Sequence, residues 1–228
     1  MKKILTILMI VVLIIFISGC INKKELTDGQ KFKEEYEIYN GKKTDRGVYP
    51  TLEIPENNII KYSTLKEVNE ILSSGTGVIY LGFPKCPWCR NAIKVLLDSA
   101  DSTTLDKIYY VDMQNERDIM KLDGNGNIVT TQKASDDYYK LVEKLKDILP
   151  DYIIYDSENN EYNTNTKRIY VPLVLFIENG QLVDYHIDTV ESQKDPYVDL
   201  TEEQYNELYN IYTSGIHKVL KDICDDKC

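Results

Sequence analysis

Five short apolar runs along the chain have the length and residue types of β-strands. The last two runs are separated by Asn179 and Gly180, a pair that is typical of a tight hairpin turn. The five runs occupy residues 58–62, 78–83, 108–111, 171–177 and 182–187. We therefore expect a sheet in which the final two strands form a hairpin.

Between these runs, apolar residues recur three and four positions apart, which predicts amphipathic helices. Thr64 with Glu67, and Thr201 with Gln204, have the spacing of capping boxes at helix starts. The helices are predicted after Thr64, after Cys86, over residues 136–149 and after Thr201. Strands that alternate with helices and end in a hairpin predict an α/β fold, with a mixed sheet flanked by helices.

The N-terminus has the pattern of a targeting segment. Basic Lys2 and Lys3 precede an apolar stretch at residues 4–17, and small residues precede Cys20. The alternative is an uncleaved single-pass anchor, but a stretch of 14 residues is shorter than the ~20 that a spanning helix needs. The motif Ile-Ser-Gly-Cys resembles a bacterial lipobox. We therefore interpret residues 1–19 as a lipoprotein signal peptide and Cys20 as the lipidation site, which puts the protein on the extracytoplasmic face of the cell membrane.

The segment at residues 20–57 is charged and polar and shows no sustained apolar period. It contains Gly41, Gly47, Pro50 and Pro55, which interrupt regular structure. This composition predicts a polar tether, with any order confined to its later half, that holds the domain away from the membrane.

Charge and cysteine content narrow the classes of partner. The net charge is −10, and it becomes about −12 if Lys2 and Lys3 are removed with the signal peptide. Since no basic cluster remains to bind a phosphate backbone, nucleic acid is not an expected partner. Of five cysteines, lipidation uses one and leaves two close pairs in a compartment where disulfides persist.

Cys86 and Cys89 lie where the apolar run at residues 78–83 meets an amphipathic helix. The free backbone N–H groups and the positive end of that helix favour a thiolate at Cys86, and Lys85 and Arg90 add positive charge nearby. Cys89 falls one turn inward on the apolar stripe, where it can attack a mixed disulfide. The pattern predicts a dithiol pair that exchanges electrons with other disulfides.

Two segments carry a family resemblance: residues 82–90 (GFPKCPWCR) and residues 171–176 (VPLVLF). Together they resemble the thioredoxin superfamily over roughly residues 58–224. The Cys-Pro-aromatic-Cys centre is most similar to glutaredoxins, and the surrounding segment is similar to the bacteriocin-accessory thioredoxin-like proteins of Gram-positive bacteria. The resemblance implies a thioredoxin-like domain at residues 58–228, with Cys86 as attacking nucleophile, Cys89 as resolving thiol and a cis Pro172 facing the pair.

The same resemblance implies a binding surface for partners. Pro87 and Trp88 would contact a partner at the helix tip, and the Val171 backbone beside Pro172 would pair with an extended peptide. The stretch from residue 112 to residue 171 is longer than such a domain needs. We expect an inserted segment there, before the cis-proline strand, that helps to select partners.

The expected function is thiol-disulfide exchange with protein or peptide partners, with a membrane redox partner that resets the pair and no cofactor. Tyr80 departs from the family pattern, because thioredoxins have a buried carboxylate at that position. Proton handling at Cys89 must therefore come from elsewhere. The alternative function is a non-catalytic thioredoxin-fold accessory protein, for example in bacteriocin processing or immunity, that acts by binding.

Other interpretations of the cysteines stay open. A plain structural disulfide between Cys86 and Cys89 closes a loop too short to constrain much chain entropy, compared with ~3 kcal/mol for a 15-residue loop. A zinc site needs four ligands, so Cys224 and Cys228 would have to fold back onto this pair, and no metal is expected. Cys224 and Cys228 themselves form a candidate second disulfide, either as a terminal staple or as an exchange relay.

Overall fold

The computed structural model describes residues 25–225, with side chains up to residue 220. The proposed signal peptide, Cys20 and Cys228 lie outside the described residues, as does the side chain of Cys224. The elements in chain order are α1 (Asp28–Glu37), β1 (Ile60–Tyr62), α2 (Leu65–Ser74), β2 (Gly77–Gly82), α3 (Pro87–Asp101), β3 (Ile108–Asp112), β4 (Ile119–Leu122), β5 (Ile128–Gln132), α4 (Asp136–Leu145), β6 (Asp151–Tyr155), β7 (Glu161–Lys167), β8 (Leu173–Glu178), β9 (Gln181–Ile187) and α5 (Glu202–Asp225). None of the helices within residues 25–225 combines the length and the apolarity needed to cross a membrane.

A mixed sheet of five strands forms the centre, in the order β1-β3-β2-β8-β9. The first three strands are parallel, whereas β8 pairs antiparallel with both β2 and β9. At the turn between β8 and β9, Asn179 and Gly180 have φ values of 50° and 78°, which a tight hairpin turn requires and which these residue types tolerate. The prediction of an α/β fold with a mixed sheet flanked by helices is confirmed.

The first face of the sheet is covered by α1, α3 and α5, and its core includes both cysteines of the Cys-Pro-Trp-Cys motif. Strand β2 contributes Val78 and Tyr80 to this face, because alternate residues of a strand point to the same side. Helix α5 contributes Leu208, Tyr212 and Ile216, which are fully buried. The motif is therefore anchored in the larger apolar core of the domain.

The second face is covered by α2 and α4. Ile79 and Leu81 of β2 share this core with Val68 of α2 and Leu141 of α4. Helix α4 thus belongs to the folded core, although it lies in the stretch predicted to be an insertion. The hairpins β4-β5 and β6-β7 form separate two-stranded sheets, and β5 is exposed along its whole length.

Residues 25–57 are part of the folded domain, so the prediction of a polar tether is wrong for them. Helix α1 begins at a capping box, and its Phe32 and Tyr36 are fully buried in the first core. Leu52 and Ile54 join the same core from the following segment. The apolar pattern of α1 is too sparse to predict a helix from the sequence. Its main apolar residues are two aromatic side chains four positions apart in an otherwise charged segment.

The hairpins β4-β5 and β6-β7 were not predicted either. Strands β6 and β7 pair within the stretch for which the sequence predicts an inserted segment. Strand β7 carries mostly exposed polar residues. Apolar and polar residues alternate along a strand because one of its faces is buried. A strand without a buried face therefore lacks the alternation by which strands are predicted.

Candidate functional site

Cys86 is the N-cap residue of α3, and Pro87 follows at the start of the helix. Proline is favoured there, because the N–H that it lacks would have no partner inside the helix. The Cys89 N–H donates to the Cys86 sulfur at 3.1 Å, which is the interaction that a serine or aspartate side chain makes in an ordinary cap. The Cys86 sulfur therefore lies at the positive end of a helix with a backbone donor directed at it.

Cys89 lies in the first turn of α3 and differs from Cys86 in its surroundings. Both are free thiols, but Cys86 keeps 6% of its surface exposed whereas Cys89 is fully buried. Burial raises the pKa of the Cys89 thiol well above its ordinary value, and the neighbouring Cys86 raises it further. The backbone of Phe83 and the hydroxyl of Tyr80 act in the opposite direction. Cys86 thus keeps a small exposed area, whereas Cys89 lies wholly within the core.

The loop before β8 completes the site. The Val171–Pro172 peptide bond is cis, as expected, and the Cys86 thiol donates to the Val171 carbonyl oxygen at 3.7 Å. The Pro172 carbonyl oxygen accepts a hydrogen bond from the Asp188 N–H at 2.8 Å, which ties this loop to the end of β9. Val171 is half-buried and Pro172 is buried, and the backbone of Val171 is the part of the loop that contacts the Cys86 sulfur.

A surface cavity of about 680 Å³ adjoins the motif. Pro87 and Trp88 line it together with Lys85, and Tyr49 and Tyr197 form part of the opposite wall. Trp88 is half-buried and packs partly against the first core. The indole is therefore a wall of the cavity and also packs against the apolar core.

Arg90 is fully buried, so it is not a surface charge. Its guanidinium donates to the carbonyl oxygens of Tyr36 at 2.6 Å and of Pro50 at 2.8 and 3.1 Å, and to the side-chain oxygen of Asn40. Desolvation lowers the pKa of Arg90, while the nearby tyrosines and Glu37 raise it. Arg90 thus connects α3 to the segment that follows α1. These contacts give no support to the expectation that Arg90 favours a thiolate at Cys86.

Arg117, in the loop between β3 and β4, is a positively charged residue whose pKa responds to charge on both sulfurs. Its guanidinium lies 5.3 Å from the centre of the Phe83 ring, and its Nε has no hydrogen-bond partner in the described part of the chain. Burial and Arg168 lower the pKa of Arg117, whereas charge on Cys89 and Cys86 raises it. Sequence reasoning missed Arg117, because a single arginine in a distant loop forms no recognisable pattern.

Two tyrosines lie beneath Cys89. The Tyr80 hydroxyl donates to the Cys89 carbonyl oxygen at 3.1 Å, and the Tyr36 hydroxyl lies 3.1 Å from that of Tyr80. Burial raises the pKa of both phenols well above the ordinary value, so both keep their protons at neutral pH. Tyr36 comes from α1, in the segment that was predicted to be a tether.

Comparison of this chain with protein-family models, curated proteins and solved structures finds no match. Among the side chains that the structure describes, no group of three or more His, Cys, Asp or Glu residues is arranged to hold a metal ion. The functional assignment therefore rests on the residues and the geometry of the site itself.

Proposed function

We propose that this chain is a thioredoxin-like, membrane-tethered thiol-disulfide oxidoreductase that exchanges disulfides with protein or peptide partners outside the cytoplasm. One observation carries the proposal: Cys86 caps α3, accepts a hydrogen bond from the Cys89 N–H at 3.1 Å and faces the Val171 carbonyl at 3.7 Å. Cys86 keeps 6% of its surface exposed, whereas Cys89 is fully buried. A pair that serves only as a structural clip needs neither the helix-cap position of Cys86 nor its contact with the loop before β8.

In the reductive direction, the Cys86 thiolate attacks one sulfur of a partner disulfide. A mixed disulfide forms, and the other partner sulfur leaves as a thiolate that takes up a proton. Cys89 then loses its proton and attacks the Cys86 sulfur, so that the Cys86–Cys89 disulfide forms and the second partner thiol is released. The partner gains two electrons and two protons, and the oxidative direction is the reverse of these steps.

Partner binding is assigned to Pro87, Trp88, Val171 and Pro172. The cavity beside Trp88 would accept a side chain of the partner, while the Val171 backbone would pair with the partner's main chain near the reacting disulfide. The hairpins β4-β5 and β6-β7 are the parts of the expected insertion that are free to select partners, since α4 is used in the core. A membrane redox partner resets the Cys86–Cys89 pair, and the exchange needs no cofactor.

Lipidation at Cys20 would hold the domain close to the membrane. Helix α1 begins after its N-cap residue Thr27, so only residues 21–27 separate the lipid from the folded domain. Seven residues span at most roughly 25 Å when fully extended. The reset partner is therefore expected to be within or against the same membrane.

The test is the reduction potential of the pair in the full chain, measured by equilibration with thiol-disulfide buffers. The Cys224→Ser, Cys228→Ser double variant removes the other close pair and serves as the background. A value near the ~−270 mV of thioredoxin defines a reductase, and a value near ~−120 mV defines a disulfide donor. A pair that does not exchange with the buffer at all would overturn the proposal in favour of an accessory protein that acts by binding.

A further inference from the structure

The resolving step requires a thiolate at Cys89, and the core opposes it. Cys89 is fully buried, and a charged group in an apolar environment is disfavoured relative to its neutral form. The titratable groups that interact with it are Cys86 of α3, Tyr80 of β2, Tyr36 of α1, Tyr212 of α5 and Arg117 of the β3-β4 loop. Of these, Tyr80 is the group whose hydroxyl donates a hydrogen bond to the Cys89 carbonyl oxygen and also lowers the pKa of the Cys89 thiol.

The Tyr80 hydroxyl is held rigidly in this place. Its ring stacks on Tyr110 with 5.6 Å between centroids, and the Tyr36 hydroxyl occupies its other side at 3.1 Å. Gly82 leaves the space that the hydroxyl needs, because a Cβ there would lie 2.5 Å from the Tyr80 oxygen. The strand, the neighbouring ring and the glycine thus direct one phenol at the first turn of α3.

Tyr80 can act as a donor but not as a base. It already donates to the Cys89 carbonyl, and burial keeps its proton in place at neutral pH. A hydroxyl can rotate about its C–O bond without moving the ring, so the same proton is available to the sulfur of the same residue. A hydrogen bond from a fixed donor to a thiolate is of the charge-assisted kind, which is stronger than a neutral one.

We infer that Tyr80, held by Tyr36, is a positioning residue that stabilises the Cys89 thiolate during resolution of the mixed disulfide. The inference rests on the proposed function. As the Cys89 proton leaves, the Tyr80 hydroxyl turns from the Cys89 carbonyl to the sulfur. The Cys89 electron pair forms the bond to Cys86 and the partner sulfur departs with the electrons of the broken bond. The departing thiolate takes up a proton, and the phenol keeps its own.

The experiment separates attack from resolution. The full chain in detergent, in the Cys224→Ser, Cys228→Ser background, is reduced and mixed with an aromatic disulfide that releases a coloured thiolate. The first release is bimolecular and reports attack by Cys86. The second is unimolecular and reports attack by Cys89. Both rates are followed from mildly acidic to alkaline pH.

Tyr80→Phe is expected to slow the second release roughly ten- to a hundred-fold at neutral pH, as for the loss of a hydrogen bond to a charged group. The midpoint of its pH profile moves upward, and the first release is unchanged. Tyr36→Phe is expected to slow the second release as well, by a smaller factor. Tyr36→Phe also keeps the test open if Tyr80→Phe does not fold.

Tyr212→Phe is the matched control. Tyr212 is a fully buried phenol whose titration also responds to charge on Cys89, but its hydroxyl has no hydrogen-bond partner in the described residues. The Tyr212→Phe variant should leave the rates of both releases unchanged. An unaltered second release in folded Tyr80→Phe, or an equal loss in Tyr212→Phe, would overturn the inference. Absence of both releases in the parent chain would instead reject the proposed function.

Discussion

The Cys86 sulfur lies 3.7 Å from the carbonyl oxygen of Val171, a residue 85 positions further along the chain. This carbonyl belongs to the residue before the cis bond at Pro172 and lies at the N-terminus of α3. A partner that pairs with the Val171 backbone would therefore bring its own sulfur close to Cys86. This contact is the geometric basis for treating the two segments as one site.

Replacement of either cysteine is expected to block exchange at a different step. Cys86→Ser removes the proposed nucleophile and should abolish exchange. Cys89→Ser leaves attack intact but removes the resolving thiol, so mixed disulfides with partners should accumulate. Mass spectrometry of the intact, non-reduced protein after incubation with a disulfide-bonded peptide distinguishes the two results. Equal trapping by both variants would contradict the assigned roles.

Replacement of Arg117 should slow attack by Cys86. The Arg117 charge interacts with charge on Cys86, and loss of about 1 kcal/mol of such an interaction is expected to lower the attack rate of Arg117→Gln by about five-fold. Lys85→Gln is the control for a charge that is adjacent only in sequence, since the Lys85 amine lies over the Tyr39 ring instead. Alkylation rates of Cys86 in both variants measure the difference, and a larger effect from Lys85 would reverse the assignment.

Arg90 is expected to stabilise the fold rather than to tune the thiols. Arg90→Met leaves the buried carbonyls of Tyr36 and Pro50 without their charged donor, which should cost about 3 kcal/mol or more of unfolding free energy. Arg46→Met, at an exposed arginine, should change it by less than about 0.5 kcal/mol. Urea denaturation measures both values. Similar small effects would mean that the Arg90 contacts do not hold the segment after α1.

Helix α1 should be needed for folding. Phe32 packs against Tyr36 and Tyr110 with ring centroids 4.3 and 4.8 Å apart, so Phe32→Ala is expected to destabilise the protein by about 3 to 5 kcal/mol. Ile38→Ala removes a side chain that is 60% exposed and should have little effect. Thermal unfolding of both variants provides the comparison. A Phe32→Ala protein as stable as the parent would restore the view of this segment as a tether.

Within the stretch from residue 112 to residue 171, helix α4 is expected to stabilise the fold and the β4-β5 hairpin is expected to select partners. Leu141→Ala in α4 is expected to cost about 2 to 5 kcal/mol, because Leu141 is fully buried in the second core. Replacement of the β4-β5 hairpin tip, residues 123–127, by a shorter turn should leave stability nearly unchanged and alter the preference among peptide disulfides. Exchange rates with a panel of such peptides test the second part, and an unchanged preference would argue against selection by this hairpin.

The sequence was sufficient for the features that depend on local patterns. The capping box at Thr64 and Glu67, the hairpin at Asn179 and Gly180 and the strand-to-helix position of Cys86 each follow from neighbouring residues. The resemblance of two short segments to a known family also implied the cis bond before Pro172. None of these features needs information about a distant part of the chain.

The sequence by itself determined the five strands of the mixed sheet, the four helices that follow Thr64, Cys86, Ser135 and Thr201, and the identity of the cysteine pair, because apolar periodicity and turn chemistry are local. Only the tertiary structure decided what surrounds that pair. Tyr36, Arg90 and Arg117 look like ordinary residues of charged segments, and their roles depend on the burial and the partners that folding gives them. A side chain's pKa and hydrogen bonds are set by neighbours in space, and those neighbours come from α1, β2 and a distant loop.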